Sequence, residues 1–316
     1  MLKIFKKLLI SFSLIVLLTN SVLAEKKDHN FTVTPVTKNV YSIIAPSYGL
    51  PSPENKGWNS NSHFVVTDKG VLVFDSGSSE LIAKNIKQAI KTVTDKPVRW
   101  VVNSHSHADH WLGNAEFSDS GAEIIASASA KIIMKQDGPG AIDFFSRITK
   151  GATGSTRIRH PTWLLTQSEK RNIDGVDVEF IFANDAHSPG DILMWLPKQK
   201  IIFGGDVLNS DWMPIIIDHG NVDNLINTLQ AVAGLNPTIV LPGHGVPTTV
   251  NSVIRDADLL SVVWDRVKEG YKAGKNKEEI LTQISTTLEQ KYKHLYKNFD
   301  EAIKQQVHEM YNKQKV

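Results

Sequence analysis

Apolar and polar residues along this chain follow two different periods. Runs in which apolar and polar positions alternate predict β-strands, and tight turns such as Asp68-Lys69-Gly70 and Pro197-Lys198-Gln199 join neighbouring runs into hairpins. Strands are predicted at Phe31–Val36, Val40–Ala45, Asn61–Thr67, Val71–Asp75, Pro97–Asn103, Glu123–Ser127, Trp163–Leu165, Lys170–Ile173, Val176–Phe182, Ile192–Leu196, Lys200–Phe203 and Thr238–Leu241.

Other segments carry apolar residues at helical spacing. In Ser79–Thr94, for example, Ile82, Ile86 and Ile90 fall on one face behind a serine-rich start. Further helices are predicted at Asn114–Phe117, Ala128–Gln136, Val222–Gly234, Ile254–Ala273, Lys277–Gln290 and Asp300–Lys313. Asp137–His160 has no clear period and is rich in Gly, Ser and Thr, so we expect a long loop there that could act as a lid.

Strands and helices alternate in two halves of the chain, and each half contains hairpins. This order predicts a mixed α/β (α+β) fold in which two sheets lie between outer layers of helices. Because no linker-like segment interrupts the chain, we expect a single domain over residues 25–316, with a core at 40–250 and C-terminal helices at 251–316. Those helices could cap the core or extend its outer layer.

Residues 1–24 have the composition of a secretory signal. Lys3, Lys6 and Lys7 precede an apolar run at Leu8–Leu18, and small residues follow. The apolar run is shorter than the roughly 20 residues that a membrane span needs. We therefore expect a cleaved leader and a mature protein in the periplasm or outside the cell, with an uncleaved anchor as the alternative.

Charge and cysteine content exclude some classes of partner and ligand. The 316 residues include 35 Lys and Arg against 33 Asp and Glu, and removal of the leader lysines leaves the mature chain close to neutral. A near-neutral chain is unlike the basic proteins that bind nucleic acid, so we expect a small-molecule substrate. The chain has no Cys, which excludes disulfides and thiolate metal ligands.

The most informative stretch is Val101–Gly113, with the sequence V-V-N-S-H-S-H-A-D-H-W-L-G. An apolar run ends here in four potential metal ligands, which are His105, His107, Asp109 and His110. If the strand continues through His107, alternation places His105 and His107 on one side, and the Asp-His pair at the turn can point to a second position nearby. The stretch therefore predicts ligands for two neighbouring metal ions, with a solvated loop as the alternative.

Three further potential ligands each follow a predicted strand in a loop rich in Gly or Pro. They are His187 in A-H-S-P-G-D, Asp206 in F-G-G-D-V-L and His244 in L-P-G-H-G. Glycine and proline allow a close backbone approach and fix the turn. Each residue alone could be an ordinary loop residue, but four strand ends that all supply N or O ligands predict one metal site.

Together, H-S-H-A-D-H, the later His and Asp, and P-G-H-G resemble the motif set of the metallo-β-lactamase superfamily of metal-dependent hydrolases. The resemblance runs from roughly Val40 to Pro247, and it implies an αββα four-layer sandwich with the site at the sheet edges. It also implies two groups of metal ligands joined by one carboxylate. These are His105, His107 and His187 for one ion, Asp109, His110 and His244 for the other, and Asp206 bridging both.

The resemblance implies further roles around these ligands. Asp109 could orient the attacking hydroxide or carry its proton to the leaving group. Asp75 ends a strand beside the cluster and is expected to fix a histidine tautomer from outside the ligand set, with capping of helix Ser79–Thr94 as an alternative role. Tryptophans in the flanking loops are candidate substrate contacts by analogy, with packing as their alternative role. They are Trp58, Trp111 and Trp212.

Position 206 narrows the branch of the superfamily. The most familiar lactamases carry Cys at this position, whereas an aspartate such as Asp206 is similar to the thioesterase, lactonase and nuclease-like branches. The glyoxalase II branch has a G-C-G-R segment after this position, and this chain has none. We therefore expect an exported dinuclear zinc-dependent hydrolase that uses a metal-held hydroxide on a small amide, β-lactam, lactone or ester; Mn or Fe would also suit these ligands. The alternatives are a thioester hydrolase of the glyoxalase II type, a phosphodiesterase, a mononuclear-iron sulfur dioxygenase, or a non-catalytic binding protein on the same fold.

Overall fold

Two β-sheets pack against each other at the centre of the computed structural model, which describes residues 31–46, 51–217 and 220–315. The strands are β1 (Val33–Pro35), β2 (Val40–Ile43), β3 (Ser62–Val66), β4 (Val71–Phe74), β5 (Val98–Val102), β6 (Glu123–Ser127), β7 (Trp163–Leu165), β8 (Glu169–Ile173), β9 (Val176–Phe182), β10 (Ile192–Leu196), β11 (Ile201–Phe203) and β12 (Ile239–Leu241). The first sheet contains β1 to β7 in chain order, and the second has the order β12-β11-β10-β9-β8.

Each sheet combines antiparallel hairpins with parallel pairs. β4 to β7 run parallel, as do β11 and β12, and the remaining neighbours are antiparallel. The two predicted hairpins, β3–β4 and β10–β11, are confirmed. Between the sheets, Phe74 of β4 contacts Phe203 of β11 with ring centroids 5.6 Å apart, in a core shared by both sheets.

Helices cover the outer face of each sheet. They are α1 (Glu80–Lys91), α2 (Ala108–Trp111), α3 (Asn114–Ser118), α4 (Ala128–Ile148), α5 (Val222–Leu235), α6 (Val250–Lys272), α7 (Lys277–Tyr292) and α8 (Phe299–Asn312). Ile86 of α1 lies in one apolar cluster with Val73 of the first sheet. Leu229 of α5 lies in another with Ile202 of the second sheet. The predicted mixed α/β sandwich of two sheets between helix layers is confirmed.

The three C-terminal helices extend the outer layer on the second sheet. Leu260 of α6, Ile284 of α7 and Val307 of α8 are buried in the same apolar cluster as α5. Their packing shows that the C-terminal helices share one hydrophobic core with α5 and the second sheet. Side chains of α8 also reach the loops beside the metal ligands, as described below.

The expectation of a long loop at Asp137–His160 is wrong for its first half. Helix α4 continues to Ile148 through Gly138, Pro139 and Gly140, and only the residues after it are irregular up to β7. Gly138 lies against Trp111, since a Cβ at this position would come within 3.0 Å of the indole. Glycine here permits close packing of α4 on the ring, and that tertiary contact outweighs the low helix propensity of Gly and Pro.

The predicted leader, residues 1–24, lies outside the described residues. The residues from Phe31 onward form one compact unit. Within the described part of the chain, no helix combines the length and the apolar character that crossing a bilayer requires.

Candidate metal centre

The first four ligand residues lie in a loop and a short helix rather than on a strand. β5 ends at Val102, so the strand does not continue through His107, and strand alternation is not what brings His105 and His107 together. The chain turns instead, and Asp109 and His110 lie on α2. The two loop histidines nevertheless point to the same place, because His105 Nε2 and His107 Nδ1 are 3.0 Å apart.

The three later ligands come from loops at the ends of strands of the second sheet. His187 lies between β9 and β10, Asp206 lies in a 3-10 turn directly after β11, and His244 follows β12. Gly243 allows the last two loops to meet, since a Cβ there would lie 2.3 Å from Asp206 Oδ1. The site therefore forms where loops from both sheets converge.

The seven residues form two groups, each compact enough to surround one cation. Within each group, the ligand atoms all lie within 4.8 Å of one another. The first group is His105, His107, His187 and Asp206, and the second is Asp109, His110 and His244. This is the grouping that the sequence resemblance implies.

Asp206 faces both groups, with one carboxylate oxygen toward each. Its Oδ2 lies 3.8 Å from His105 Nε2 and 3.6 Å from His187 Nε2. Its Oδ1 lies 3.2 Å from His110 Nε2 and 3.3 Å from His244 Nε2. Bonds of about 2.0–2.1 Å place neighbouring ligands of a tetrahedral zinc about 3.3 Å apart, so these separations suit metal ligands.

Two buried polar atoms in the cluster support the same interpretation. His110 Nε2 and Asp206 Oδ1 are buried, and neither has a hydrogen-bond partner among the described residues. Buried polar atoms are nearly always satisfied, so a pair of such orphans 3.2 Å apart needs an explanation such as an ion. A divalent cation between the ligands would satisfy both atoms, so the donor set fits a metal.

Hydrogen bonds from outside the cluster fix the orientation of four imidazoles. Each of these rings has its Nδ1 engaged and turns Nε2 toward the centre of the site. The Nδ1 partners are Ser104 Oγ for His105 at 2.8 Å, Asp75 Oδ2 for His110 at 2.9 Å, the Ile215 carbonyl for His187 at 2.8 Å and the Asn59 carbonyl for His244 at 2.8 Å. His107 is the exception, because it presents Nδ1 to the cluster.

Asp75 is the most heavily used of these outer residues. Its carboxylate accepts hydrogen bonds from the Ser104 backbone N–H at 2.7 Å and from the Ser104 hydroxyl at 2.9 Å, besides its contact with His110. It adopts a left-handed backbone with φ 65°, which carries the carboxylate away from the strand into the site. The alternative role as helix cap is wrong, because the Ser79 side chain accepts from the Ile82 N–H and caps α1.

Burial favours neutral imidazoles in the first group. Loss of solvent lowers the pKa of His187 to about 4, and burial together with the neighbouring His110 lowers the pKa of His105 well below its ordinary value. Neutral imidazole is the form that binds a metal ion. These histidines are therefore in the ligand state at neutral pH.

The carboxylates make the second group attractive to positive charge. Burial raises the pKa of Asp109, but the charges of His110 and His244 outweigh it and leave a pKa of about 2. The same balance holds the pKa of Asp206 well below its usual range. Conversely, these carboxylates raise the pKa of His110 and His244 against the effect of burial. Two ionised carboxylates thus create a site that stabilises cations.

The three candidate tryptophans lie in different environments. Trp58 is 2% exposed and stacks on Phe31, and Trp111 is 1% exposed and donates from its indole N–H to the Ser106 carbonyl at 2.8 Å. Both are buried, and neither is among the residues that line the cavity above the ligands. Trp212 is different, because it lines the cavity above the ligands and stacks on His244.

The sequence did not predict the role of Asn59, which contacts the side chains of two ligands, Asp109 and His244. The Asn59 amide donates to Asp109 Oδ2 at 2.9 Å, and its backbone carbonyl faces His244 Nδ1. No motif in the sequence marks Asn59, since both partners are distant along the chain. The adjacent Ser60 strengthens the link, because its hydroxyl donates to the Asp109 carbonyl at 2.6 Å.

A cavity of about 700 Å³ opens over the ligands. Its floor includes His107, Asp109, Asp206 and His244, and α8 contributes polar residues. Apolar side chains line other parts of the wall. They include Phe144, Phe145, Trp212, Met213, Ile215 and Ile217. This volume is within the range of about 300–1,000 Å³ found for small-molecule sites.

Comparisons with known proteins agree with this geometry. The family model described as "Metallo-beta-lactamase superfamily" matches residues 55–244. Metallo-beta-lactamase IND-1 of Chryseobacterium indologenes is 26% identical over 244 residues, which cover 76% of this chain and 92% of that protein.

Solved structures show the same fold. A metallo-beta-lactamase from Pontibacter korlensis has a TM-score of 0.59 at 18% identity, covering 72% of this chain and 98% of that one. The stereoselective inverting sec-alkylsulfatase Pisa1 from Pseudomonas sp. has a TM-score of 0.66 at 14% identity, covering 89% of this chain and 50% of that one. Because the family model spans more than half of the chain, and includes each of the seven clustered ligands, this protein belongs to the metallo-β-lactamase superfamily and is a metal-dependent hydrolase.

Proposed function

We propose that this protein is an exported dinuclear zinc hydrolase that cleaves a small amide, β-lactam, lactone or ester. The observation that carries the proposal is the position of Asp206, which presents one oxygen to each of two imidazole-rich groups. A shared carboxylate of this kind suits two ions held side by side. A mononuclear site would leave one of the two clustered groups of ligands without a role.

Zinc is the metal that we assign to both positions. Five imidazoles and two carboxylates form the ligand set, and the chain has no thiolate to offer. Zinc ions held here would lower the pKa of a bound water to about 7 and polarise the scissile carbonyl. His105, His107 and His187 would hold one ion, and Asp109, His110 and His244 the other.

The protein's own contribution is orientation and proton transfer. Asp109 lines the cavity, and its Oδ2 is oriented by the Asn59 amide. Its carboxylate is ionised at neutral pH, so it can accept a hydrogen bond from the attacking water and orient that water. In hydrolysis, the water oxygen bonds to the carbonyl carbon, the carbon–nitrogen or carbon–oxygen bond breaks, and the leaving atom receives the proton. We assign that transfer to Asp109.

Sulfate ester hydrolysis is a second candidate. The likeness to the Pisa1 sec-alkylsulfatase covers 89% of this chain, against 72% for the Pontibacter metallo-β-lactamase, so it extends beyond the lactamase core. A likeness at 14% identity supports the fold rather than the reaction. The carboxyl-ester and amide reaction therefore stays the leading proposal, and the sulfate ester enters the substrate panel.

The test is a substrate panel on protein whose metal content is known. Elemental analysis should find two zincs per chain. A chromogenic cephalosporin, a p-nitrophenyl ester, a lactone, p-nitrophenyl sulfate and bis-p-nitrophenyl phosphate would then be compared. We expect hydrolysis of at least one amide, lactone or carboxylic ester, loss with chelator, recovery with zinc, and no activity in His107→Ala.

Two outcomes would contradict the proposal. Cleavage of only the sulfate or phosphate substrate by the two-zinc protein would replace it with that reaction. One iron per chain instead of two zincs would favour the mononuclear dioxygenase. Export is tested separately, by expressing the full chain and sequencing the N-terminus of the protein in the periplasmic fraction; a mature start near residue 25 is expected.

A further inference from the structure

The cavity over the metal ligands has an apolar region that metal binding does not explain. Phe144 of α4 is 40% exposed, a large value for a phenylalanine, and it lies on the cavity wall. Ile217 contributes further apolar lining and is only partly buried. Exposed apolar side chains gathered in a concave site usually mark a surface that binds an apolar group.

The apolar region is contiguous with the reactive cluster. Trp212 stacks on the His244 ring with centroids 5.9 Å apart and an interplanar angle of 27°. The Ile215 carbonyl faces His187 Nδ1, while residues 212, 213, 215 and 217 all line the cavity. One loop therefore supports two ligand histidines and also forms part of the apolar wall.

Hydrogen bonds from α8 and its start hold this loop in place. The Met213 N–H donates to Asn298 Oδ1 at 2.8 Å, and the Ile216 N–H donates to Gln306 Oε1 at 3.0 Å. The Lys297 N–H donates to the Asp211 carbonyl at 2.8 Å. These bonds tie the backbone of residues 211, 213 and 216 to a packed helix, so this part of the apolar wall is held before any ligand enters.

We propose that the substrate carries an elongated apolar group, which lies against Phe144 and Ile217 while its scissile carbonyl lies at the metal ligands. An ester of a straight-chain carboxylic acid has this chemistry. Its hydrolysis forms a bond between the water oxygen and the acyl carbon, breaks the acyl–oxygen bond and delivers a proton to the departing alcohol. The inference rests on the proposed hydrolase function and adds the class of substrate.

The first test is a chain-length series. With p-nitrophenyl alkanoates from acetate to octanoate, each below its critical micelle concentration, kcat/KM divided by the uncatalysed rate is expected to rise about fourfold per methylene. In Phe144→Ala and Ile217→Ala the ratio of octanoate to acetate kcat/KM is expected to fall at least fivefold. Ile132→Ala is the matched control, because Ile132 is an exposed apolar residue of the same helix outside the cavity lining, and its ratio should equal that of the wild type.

The second test does not depend on catalysis. Binding of straight-chain alcohols from butanol to octanol is measured by calorimetry on zinc-loaded protein, and Kd is expected to fall about fourfold per methylene. Phe144→Ala should flatten this series, and Ile132→Ala should not.

The outcomes separate the two proposals. Hydrolysis that is independent of chain length, with alcohol binding equally flat, would overturn the apolar-group inference and leave the hydrolase function intact. Graded alcohol binding without hydrolysis of any ester or amide would support the apolar site and overturn the hydrolase proposal. A chain-length effect that Phe144→Ala and Ile217→Ala leave unchanged would place the apolar group elsewhere and overturn the inference.

Discussion

At the scale of single residues, Asn59 links two ligands of one metal-binding group. The residue is 8% exposed, its side-chain amide donates to Asp109 Oδ2 at 2.9 Å, and its backbone carbonyl contacts the His244 ring. Asn59→Ala keeps the backbone carbonyl that contacts His244 and removes the side-chain amide. Only Asp109 therefore loses a hydrogen bond. We expect a loss of about 10–100-fold in zinc affinity or kcat, measured by competition with a chelator dye and by steady-state kinetics.

A matched control exists for Asn59→Ala. Asn172 also donates its amide to an aspartate, Asp177, but at an exposed hairpin. Asn172→Ala should leave zinc affinity and kcat at the wild-type values. If Asn59→Ala also retains both, Asn59 has no positioning role.

Asp75 can be tested in the same way. The Ser104 N–H, the Ser104 hydroxyl and the His110 ring all face the Asp75 carboxylate. Asp75→Asn replaces one of the two acceptor oxygens by an NH2 group, which cannot accept a hydrogen bond. His110 would lose the partner that fixes its tautomer, and zinc affinity should fall by about 10–100-fold in a chelator competition. Asp174→Asn is the control, since Asp174 has a similar left-handed backbone at an exposed turn. Equal zinc affinities in both variants would contradict the role of Asp75.

The sequence predicts the ligands better than the residues that hold them. His105, His187 and the other ligands stand in short motifs whose chemistry is visible in the residue types alone. Their partners include the Ile215 and Asn59 carbonyls, and a backbone carbonyl leaves no mark in a sequence. The burial of Trp58 and Trp111 is equally hard to predict, because proximity along the chain does not determine which way an indole points.

At the scale of elements, helix α4 contains two glycines with opposite expected effects. A Cβ on Gly138 would approach the Trp111 ring to 3.0 Å, whereas a Cβ on Gly140 would have nothing within 4 Å. Gly138→Val should therefore lower the free energy of unfolding by about 1–3 kcal/mol through overpacking. Gly140→Val should leave it unchanged or raise it slightly, because valine has the higher helix propensity. Urea denaturation measures both, and equal effects would show that Gly138 is not a packing position.

The same helix shows where local patterns stop being informative. Strands such as β9 and β10 have the predicted bounds, because alternation and turn residues act over a few positions. In α4, Gly138-Pro139-Gly140 has the low helix propensity of a break, whereas contacts with residues distant along the chain, such as Trp111, favour the helix. The end of β5 at Val102 has a similar origin, since the turn that follows is held by side chains from distant segments, among them Asp75.

At the scale of the whole molecule, the C-terminal helix α8 supports a loop that holds one of the metal ligands. Gln306 of α8 is fully buried and accepts the Ile216 N–H, next to the carbonyl that faces His187. Gln306→Met keeps the volume and removes the acceptor, so the free energy of unfolding should fall by about 1–3 kcal/mol. Zinc affinity should fall as well, whereas Gln283→Met at an exposed position of α7 should change neither. Loss of stability with unchanged zinc affinity would show that α8 supports the fold and not the site.

The two sheets each contribute ligands to one cluster, so bound metal should stabilise the entire fold. His105 to His110 follow β5 of the first sheet, whereas His187, Asp206 and His244 follow strands of the second. A site at free zinc 1,000-fold above its Kd adds about 4 kcal/mol of stability, or a rise in Tm of about 8–16 °C. Two sites would add about twice that rise.

Zinc titration followed by differential scanning calorimetry measures this stabilisation. Asp206→Ala should remove most of it, because the residue serves both groups, and His294→Ala should not, because His294 is an exposed residue outside both ligand groups. A Tm that does not change with zinc would mean that bound metal does not link the two sheets. A rise of single-site size, unaffected by Asp206→Ala, would mean that one ion binds without the shared carboxylate, and the dinuclear assignment would then be wrong.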